Sequence, residues 1–322
     1  MLGGTTLGWP LAARAQQGGP MRRIGALVPG PENDEQEQLR LAAFEQGLAK
    51  LGWIDGRDVR IDYRWRAGET DRARALATEL VGLRPDVLLA TSTPTLAALR
   101  RATRSIPIVF TTVADPIGSG FVASLARPGG NITGFILNEP PLASKWVELL
   151  KGMVPDRLRA ALLFNPEFAP FAGEFFRHAE AAAARLKVEL TAAAVHDDSD
   201  IEDALVALAS LSNSGLVVNS DAFTRIHRHQ IIALAARHRL PAIYPFRFHA
   251  TDGGLISYGT DTIDLARQAA SYVDRILRGE KPANLPVQAP TKFEMVINLK
   301  AAKAIDLKVP PELLARADEV IE

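Results

Sequence analysis

The residues of this chain that could do chemistry stand in short polar runs, each following an apolar one. Thr91-Ser92-Thr93-Pro94-Thr95 sets four hydroxyls in five residues behind the apolar stretch 87–90. A helix with Pro94 in its first turn would add free backbone N–H groups and the positive end of its dipole, and such a site holds a carboxylate. Capping of that helix by Thr93 is the alternative, and it would account for any one hydroxyl. A second run, Thr111 to Pro116, offers the Thr112 hydroxyl and the backbone groups of Val113 and Ala114. Its Asp115-Pro116 reads as the cap and first residue of a helix. Asn165, Ser220-Asp221 and Tyr244-Pro245-Phe246 hold equivalent places later in the chain. Asp221 is the sharpest of these, a carboxylate that would pair with a ligand ammonium or cap the following helix. Phe168, Tyr244, Phe246 and Tyr258 are candidates to cover an apolar ligand face. The ligand-binding set expected from the sequence is therefore Thr91, Ser92, Thr93, Thr95, Thr112, Ala114, Asn165, Asp221, Tyr244, Phe246 and Tyr258.

Signatures of catalysis are poor by comparison. There is no Gly-x-Gly-x-x-Gly after the first strand, no phosphate-binding Gly-Lys-Ser/Thr loop and no Gly-x-Ser-x-Gly elbow. Of the six histidines, His227 and His229 are two apart in an expected helix and point to different sides, which is wrong for joint metal ligation. The chain has no cysteine, which removes disulfides, thiolate metal sites and thiol nucleophiles together. No catalytic residue, metal or cofactor is expected. An α/β enzyme using Asp115 or Asp221 with a nearby histidine is the alternative reading.

The elements that must position these residues alternate. Strands are expected at 23–28, 59–65, 87–90 and 107–111, with helices at 36–51, 71–83 and 94–102 between them and another after Asp115-Pro116. The pattern restarts with strands at 159–164, 188–195, 215–219 and 241–244 and helices at 171–186 and 223–239. Ser199 to Glu202 reads as a capping box opening one more helix. Strands separated by helices of this length imply right-handed crossovers and parallel sheets, with ligands beyond the carboxyl ends of the strands. Three stretches, 131–138, 255–260 and 292–298, read as crossings between the halves, and several crossings make a hinge whose cleft binds ligand.

Length and charge agree with two such units. The chain has 322 residues, against ~150 for a typical domain. Its 37 basic and 37 acidic residues cancel, so the basic footprint that attracts nucleic acid or anionic lipid is missing. A hydrophobic share of 47% with 23% charged residues excludes wholesale disorder. Residues 1–20 read as a truncated export signal or a flexible leader, with Ala13-Arg14-Ala15 fitting a signal-peptidase site before Gln16. No later stretch reaches the ~18 apolar residues that would span a membrane.

Ser105-Ile106-Pro107-Ile108-Val109-Phe110, then Asp115-Pro116, then Arg127-Pro128-Gly129-Gly130-Asn131-Ile132-Thr133-Gly134 resemble the substrate-binding proteins of the tryptophan-type ABC transporter family. Gly253 to Gly259 and Leu313 to Ile321 are similar to that family too, so the resemblance runs from about Met21 to the C-terminus. It implies α/β architecture, with two doubly wound parallel-sheet lobes joined by a multi-crossing hinge, the type I periplasmic binding protein fold. The expected lobes are 21–135 plus 260–290 and 136–259 plus 291–322. The resemblance also implies a monomeric periplasmic receptor delivering a small ligand to ABC transporter permease subunits, with no nucleic-acid partner. Some members take aromatic amino acids, which suits a carboxylate held at Ser92 and Thr93 and an acidic Asp221. A sensory ligand-binding module is the remaining alternative, with too little chain before the first strand for a helix-turn-helix.

Overall fold

The structure, a computed structural model, describes residues 21–66, 70–154 and 156–322; the leader expected at 1–20 lies outside them. The first half runs β1 (Arg22–Val28), α1 (Glu35–Lys50), β2 (Val59–Trp65), α2 (Thr70–Gly82), β3 (Val87–Ala90), α3 (Thr93–Ala102), β4 (Ile108–Val113) and β5 (Ile132–Ile136). These strands form a parallel sheet in the order β2-β1-β3-β4-β5. The second half continues with α4 (Leu142–Met153), β6 (Arg159–Phe164), α5 (Ala172–Leu186), β7 (Glu189–Ala194), α6 (Asp198–Ala209) and β8 (Ser214–Val218). Then follow α7 (Ala222–Ile226), α8 (Arg228–Arg237), β9 (Ala242–Tyr244), α9 (Arg247–Thr251) and β10 (Ile256–Thr260). Last come α10 (Thr262–Leu277), β11 (Phe293–Asn298), α11 (Leu299–Ala304), α12 (Pro311–Leu314) and β12 (Glu319–Ile321). The second sheet has the order β12-β11-β10-β9-β8-β6-β7 and is parallel except where β11 runs against β10.

Both faces are covered at the central strands such as β3 and β8, which is why these read as unbroken apolar runs, whereas the edge strands β2 and β7 are partly exposed. Along β3, Val87 and Leu89 join one buried cluster while Leu88 and Ala90 join the cluster on the opposite face. Along β6, Ala160 and Leu162 face one layer and Ala161 and Leu163 the other. The two-residue period of the strand does this sorting.

The chain leaves one sheet for the other after β5, after β10 and before β11, and the three passages are bonded side by side. The Thr260 hydroxyl donates to the Leu137 carbonyl at 2.6 Å and lies 2.9 Å from Asn138 Oδ1. The Asp261 N–H donates to the Lys292 carbonyl at 3.1 Å, and Lys292 Nζ stands 2.7 Å from the Asp261 carboxylate. α10 then returns from the hinge to the first sheet, burying Leu265, Ala269 and Val273 with Phe44 and Leu48 of α1.

Four local expectations are corrected. No helix follows Asp115-Pro116: the Asp115 carboxylate accepts the Gly118 N–H at 2.7 Å and closes a turn. A Cβ at residue 118 would fall 2.0 Å from that carboxylate, so glycine there permits the turn. The helix expected over 223–239 is broken at His227 into α7 and α8; the His227 ring Nδ1 sits 2.8 Å from the Phe223 carbonyl. α6 is capped by Asp197, which accepts the Asp200 N–H at 2.9 Å, rather than by Ser199, which lies within the helix. The stretch 131–138 is mostly strand β5 of the first sheet, and only its end enters the hinge.

Gly259 in β10 is packed against backbone, since a Cβ there would lie 1.8 Å from the Pro245 carbonyl oxygen. Gly259→Ala should therefore cost at least about 2 kcal/mol in denaturant unfolding, by forcing β9 and β10 apart. An unchanged midpoint would show that this corner yields freely.

Candidate functional site

The carboxyl ends of the two sheets carry the loops singled out in the sequence, and the structure divides those residues by what their polar atoms already do. Ser92 caps α3: its hydroxyl accepts the Thr95 N–H at 3.3 Å, and the Thr95 hydroxyl takes the Ser92 N–H at 3.0 Å. The cap is Ser92 rather than Thr93, and the capping box consumes the hydroxyls of both Ser92 and Thr95. Thr93, half-buried at the first position of α3, keeps its place at the helix end. Thr91 is buried, and its carbonyl receives the Thr112 hydroxyl. Ala114 is half-buried just beyond β4.

Thr112 has φ +56°, an uncommon conformation for a β-branched residue, where the β4–β5 register shifts. Beside it, the buried Thr111 hydroxyl has no hydrogen-bond partner and borders a cavity of about 10 Å³ lined by Arg40, Phe44, Leu89, Thr91 and Ala269. That is room for roughly one water molecule.

In the second lobe Asp221 caps α7, accepting the Thr224 N–H at 2.8 Å and the Asn165 N–H at 3.3 Å. The Asn165 amide oxygen is taken by the N–H groups of Glu167 and Phe168. Asp221 is buried without a cationic partner among the described residues. Neither Asp221 nor Asp115 is bonded to a histidine, so the pairing that an enzyme reading would need is missing among the described residues.

The aromatic residues separate too. Tyr244 and Phe246 are buried and lie in one stack with Phe248 around His249, whose ring is 5.2 Å from Tyr244 and 4.4 Å from Phe248. Phe246 and Phe248 pack into a cluster with Leu137 and Phe135 of the first half, so this stack joins the lobes. Tyr258 is not with them; it stacks on Phe293 at 6.0 Å against the core of the second lobe. Phe168 is exposed, 6.4 Å from Phe223.

Further polar atoms, of which the sequence had singled out only those of Ser220, stand without partners among the described residues. Asn138 Nδ2, both amide atoms of Asn219, Ser220 Oγ, His249 Nε2, Ser257 Oγ and Glu37 Oε2 are buried without hydrogen-bond partners. Native interiors leave few such groups, and each calls for an explanation. They come from both lobes and the hinge: Glu37 from α1, Asn138 from the first passage, Asn219 and Ser220 from the end of β8, and Ser257 opposite Tyr244 in the β9–β10 ladder. Glu37, Arg40 and Arg225 gave no signal in the sequence, because charges on a helix are ordinarily solvated.

Electrostatics tie these groups across the cleft. Burial raises the Glu37 carboxyl above its usual range, opposed by the charges of Arg40 and of Arg225 from the other lobe. Burial likewise lowers Arg225, with Arg40 adding repulsion and Glu37 and Asp34 opposing. Burial pushes His249 down to about 3, so it is neutral at physiological pH. Its Nδ1 lies 3.1 Å from the Phe246 carbonyl and carries the hydrogen, which leaves Nε2 as a bare acceptor.

Residues 29–321 match the family described as ABC transporter substrate binding protein. The chain belongs to that family. As a substrate-binding protein it is 25% identical over 285 residues to a tyrosine-binding protein of Clostridioides difficile, covering 88% of this chain and 80% of the relative. It superposes on a conserved domain protein of Vibrio cholerae with a TM-score of 0.83 and 29% identity, covering 93% of this chain and 99% of that one. A Streptococcus pneumonia domain solved in complex with L-Trp gives a TM-score of 0.82 at 27% identity, covering 94% and 100%. The fold of this substrate-binding protein is thus the two-lobed type I periplasmic binding architecture. It works with a membrane permease on a small ligand. No helix among the described residues is long and apolar enough to cross a membrane, and no group of three acidic or histidine side chains there could hold a metal.

Two outcomes follow from the caps. Ser92→Ala should lower stability by about 1 kcal/mol, read by chemical denaturation, as loss of an N-cap does. Asp221 titrates with a sign opposite to that of a salt-bridged carboxylate. Burial raises it from 3.8 to about 6 in the folded protein, despite the N–H groups of Thr224 and Asn165. The folded state then holds that proton more tightly than the unfolded state does. The ligand-free protein gains stability as pH falls from about 6 towards 4, and above about 6 it bears a cost of about 3 kcal/mol. Asp221→Asn keeps the cap, should raise the ligand-free melting temperature at pH 7.5, and should remove the gain on acidification. A pH profile identical to that of the unsubstituted protein would show that Asp221 does not titrate in this range.

Proposed function

We propose that this substrate-binding protein is a receptor for an aromatic amino acid, held between the lobes and presented to an ABC importer after hinge closure. The observation that carries the reading is the set of buried, unpartnered polar atoms contributed by both lobes and the hinge beside a stack of aromatic rings. Two similar proteins add support, one named for tyrosine and one solved with L-Trp.

In this reading Asp221 takes the ligand ammonium, which supplies the cation its buried carboxylate lacks. Tyr244, Phe246 and His249 cover the aromatic side chain. The bare Nε2 of His249 accepts from a ring N–H or O–H. Thr93, Thr111, Thr112 and Ala114 line the first-lobe wall, while Thr91, Ser92, Thr95 and Asn165 hold the loops in shape. Tyr258 has no part in it. Binding and closure need no catalytic step, metal or cofactor. The protein acts as a monomer in the periplasm, and residues 1–20 are a truncated export signal or a flexible leader.

A thermal-shift screen against amino acids, sugars and nucleosides tests this. Ligand at about 100 times its dissociation constant adds about 2.7 kcal/mol, a shift of several degrees. Tyrosine or tryptophan should give that shift. A response confined to sugars or nucleosides would overturn the assignment.

A further inference from the structure

We propose that Arg225 of the second lobe and Arg40 of the first form a two-sided seat for the α-carboxylate, so that the charge of the ligand itself bridges the lobes. This rests on the amino-acid reading above. Arg225 sits in α7, one turn after Asp221, with its N–H donating to the Asp221 carbonyl at 3.2 Å. Asp221 is the extended N-cap of α7, and Arg225 lies within the five-residue helix that it opens. The cap and its helix thus supply a buried carboxylate and a guanidinium close in the chain, and the two do not pair with each other. That is the complement of an ammonium and a carboxylate on one carbon.

The Arg225 guanidinium is half-buried and hydrogen-bonds nothing among the described residues, although it carries five donors. It faces Glu37, Asp34 and Arg40 of the first lobe. Arg228, next along, is already bonded to Asp252 at 2.7 Å and is not a competitor for the seat. Across the cleft Arg40 is buried, its Nε bonded to the Gln36 carbonyl at 3.2 Å and its Nη2 only 3.4 Å from Glu37 Oε1. No ion pair joins Glu37 to Arg225, so Glu37 offsets the charge of the arginines without occupying the donors of Arg225. The two guanidiniums repel each other across the gap until an anion lies between them.

The Ser92–Thr95 hydroxyls, the other candidates for this carboxylate, are closed into the capping box of α3. Pro94 also removes one N–H from that helix end. The arginines are the donors left.

Calorimetry on the full chain decides the point, with L-tyrosine, L-tryptophan and their decarboxylated amines tyramine and tryptamine as probes. The amines are read by competition at millimolar concentration where direct titration is too weak. Arg225→Gln should weaken both amino acids by about 10- to 100-fold, the loss of a charge-assisted bond, and the amines by less than about threefold. Arg225→Lys should fall between, and melting of each ligand-free variant shows that it folds. Unchanged amino-acid affinity, or an equal loss for amino acid and amine, overturns the carboxylate seat and leaves the receptor reading standing. A wild-type chain that binds none of the four probes overturns the receptor reading and the seat with it.

Discussion

The structure depends on three chain passages held edge to edge between two sheets. A single passage would tether the lobes; here three run together, bonded through the Thr260 hydroxyl and the Asp261–Lys292 contact. Asp261 serves both sides of that arrangement. Its carboxylate accepts the first N–H groups of α10 and meets Lys292, which together keep it below the usual carboxylate range although burial acts to raise it. α10 then presents Ala266 and Ala269 to the cavity bordered by Arg40 and Thr111. The hinge and the first-lobe wall of the cleft are thus built on one helix.

The second constraint is the cost of burying polar groups without partners. Most loops at the strand ends meet it internally: Ser92 with Thr95, Thr112 with the Thr91 carbonyl, Asn165 with the chain that follows it. Among the described residues, polar atoms of Glu37, Thr111, Asn138, Asn219, Ser220, His249 and Ser257, drawn from both lobes and the passages between them, remain unmet. A receptor gains from this arrangement, because an interior with few ways of satisfying such atoms binds a matching ligand and rejects one that leaves them bare. The closed polar loops are satisfied within the fold, and the open atoms are not.

The secondary structure was largely legible in the sequence because the central strands of both sheets are buried on two faces. Such strands announce themselves as apolar runs such as 87–90 and 159–164, and the intervening helices carry apolar stripes. The misreadings share a cause. Asp115, Ser199 and the 223–239 stretch each had a sound local signal, and in each a nearby atom competed: the Gly118 N–H, the Asp197 carboxylate, the His227 ring. Local patterns show which groups are able to cap a helix, but not which one is close enough to do so.

The site divides along the same line. Loops after strands had to be polar, and Asp221, Thr112 and Tyr244 are visible from that rule alone. The hinge and the family resemblance also follow from residues read in order, since crossings and motifs are properties of succession along the chain. Which hydroxyls are free and which are spent was decided only by tertiary structure, as was the distance of Tyr258 from the other candidates. The same holds for Glu37, Arg40 and Arg225, whose charges look solvated on their own helices. In the fold Glu37 and Arg40 are buried and Arg225 is half-buried, although α1 and α7 are almost two hundred residues apart in sequence. Burial makes an unpaired charge costly, and burial is set by the packing of segments distant in sequence rather than by neighbours along the chain.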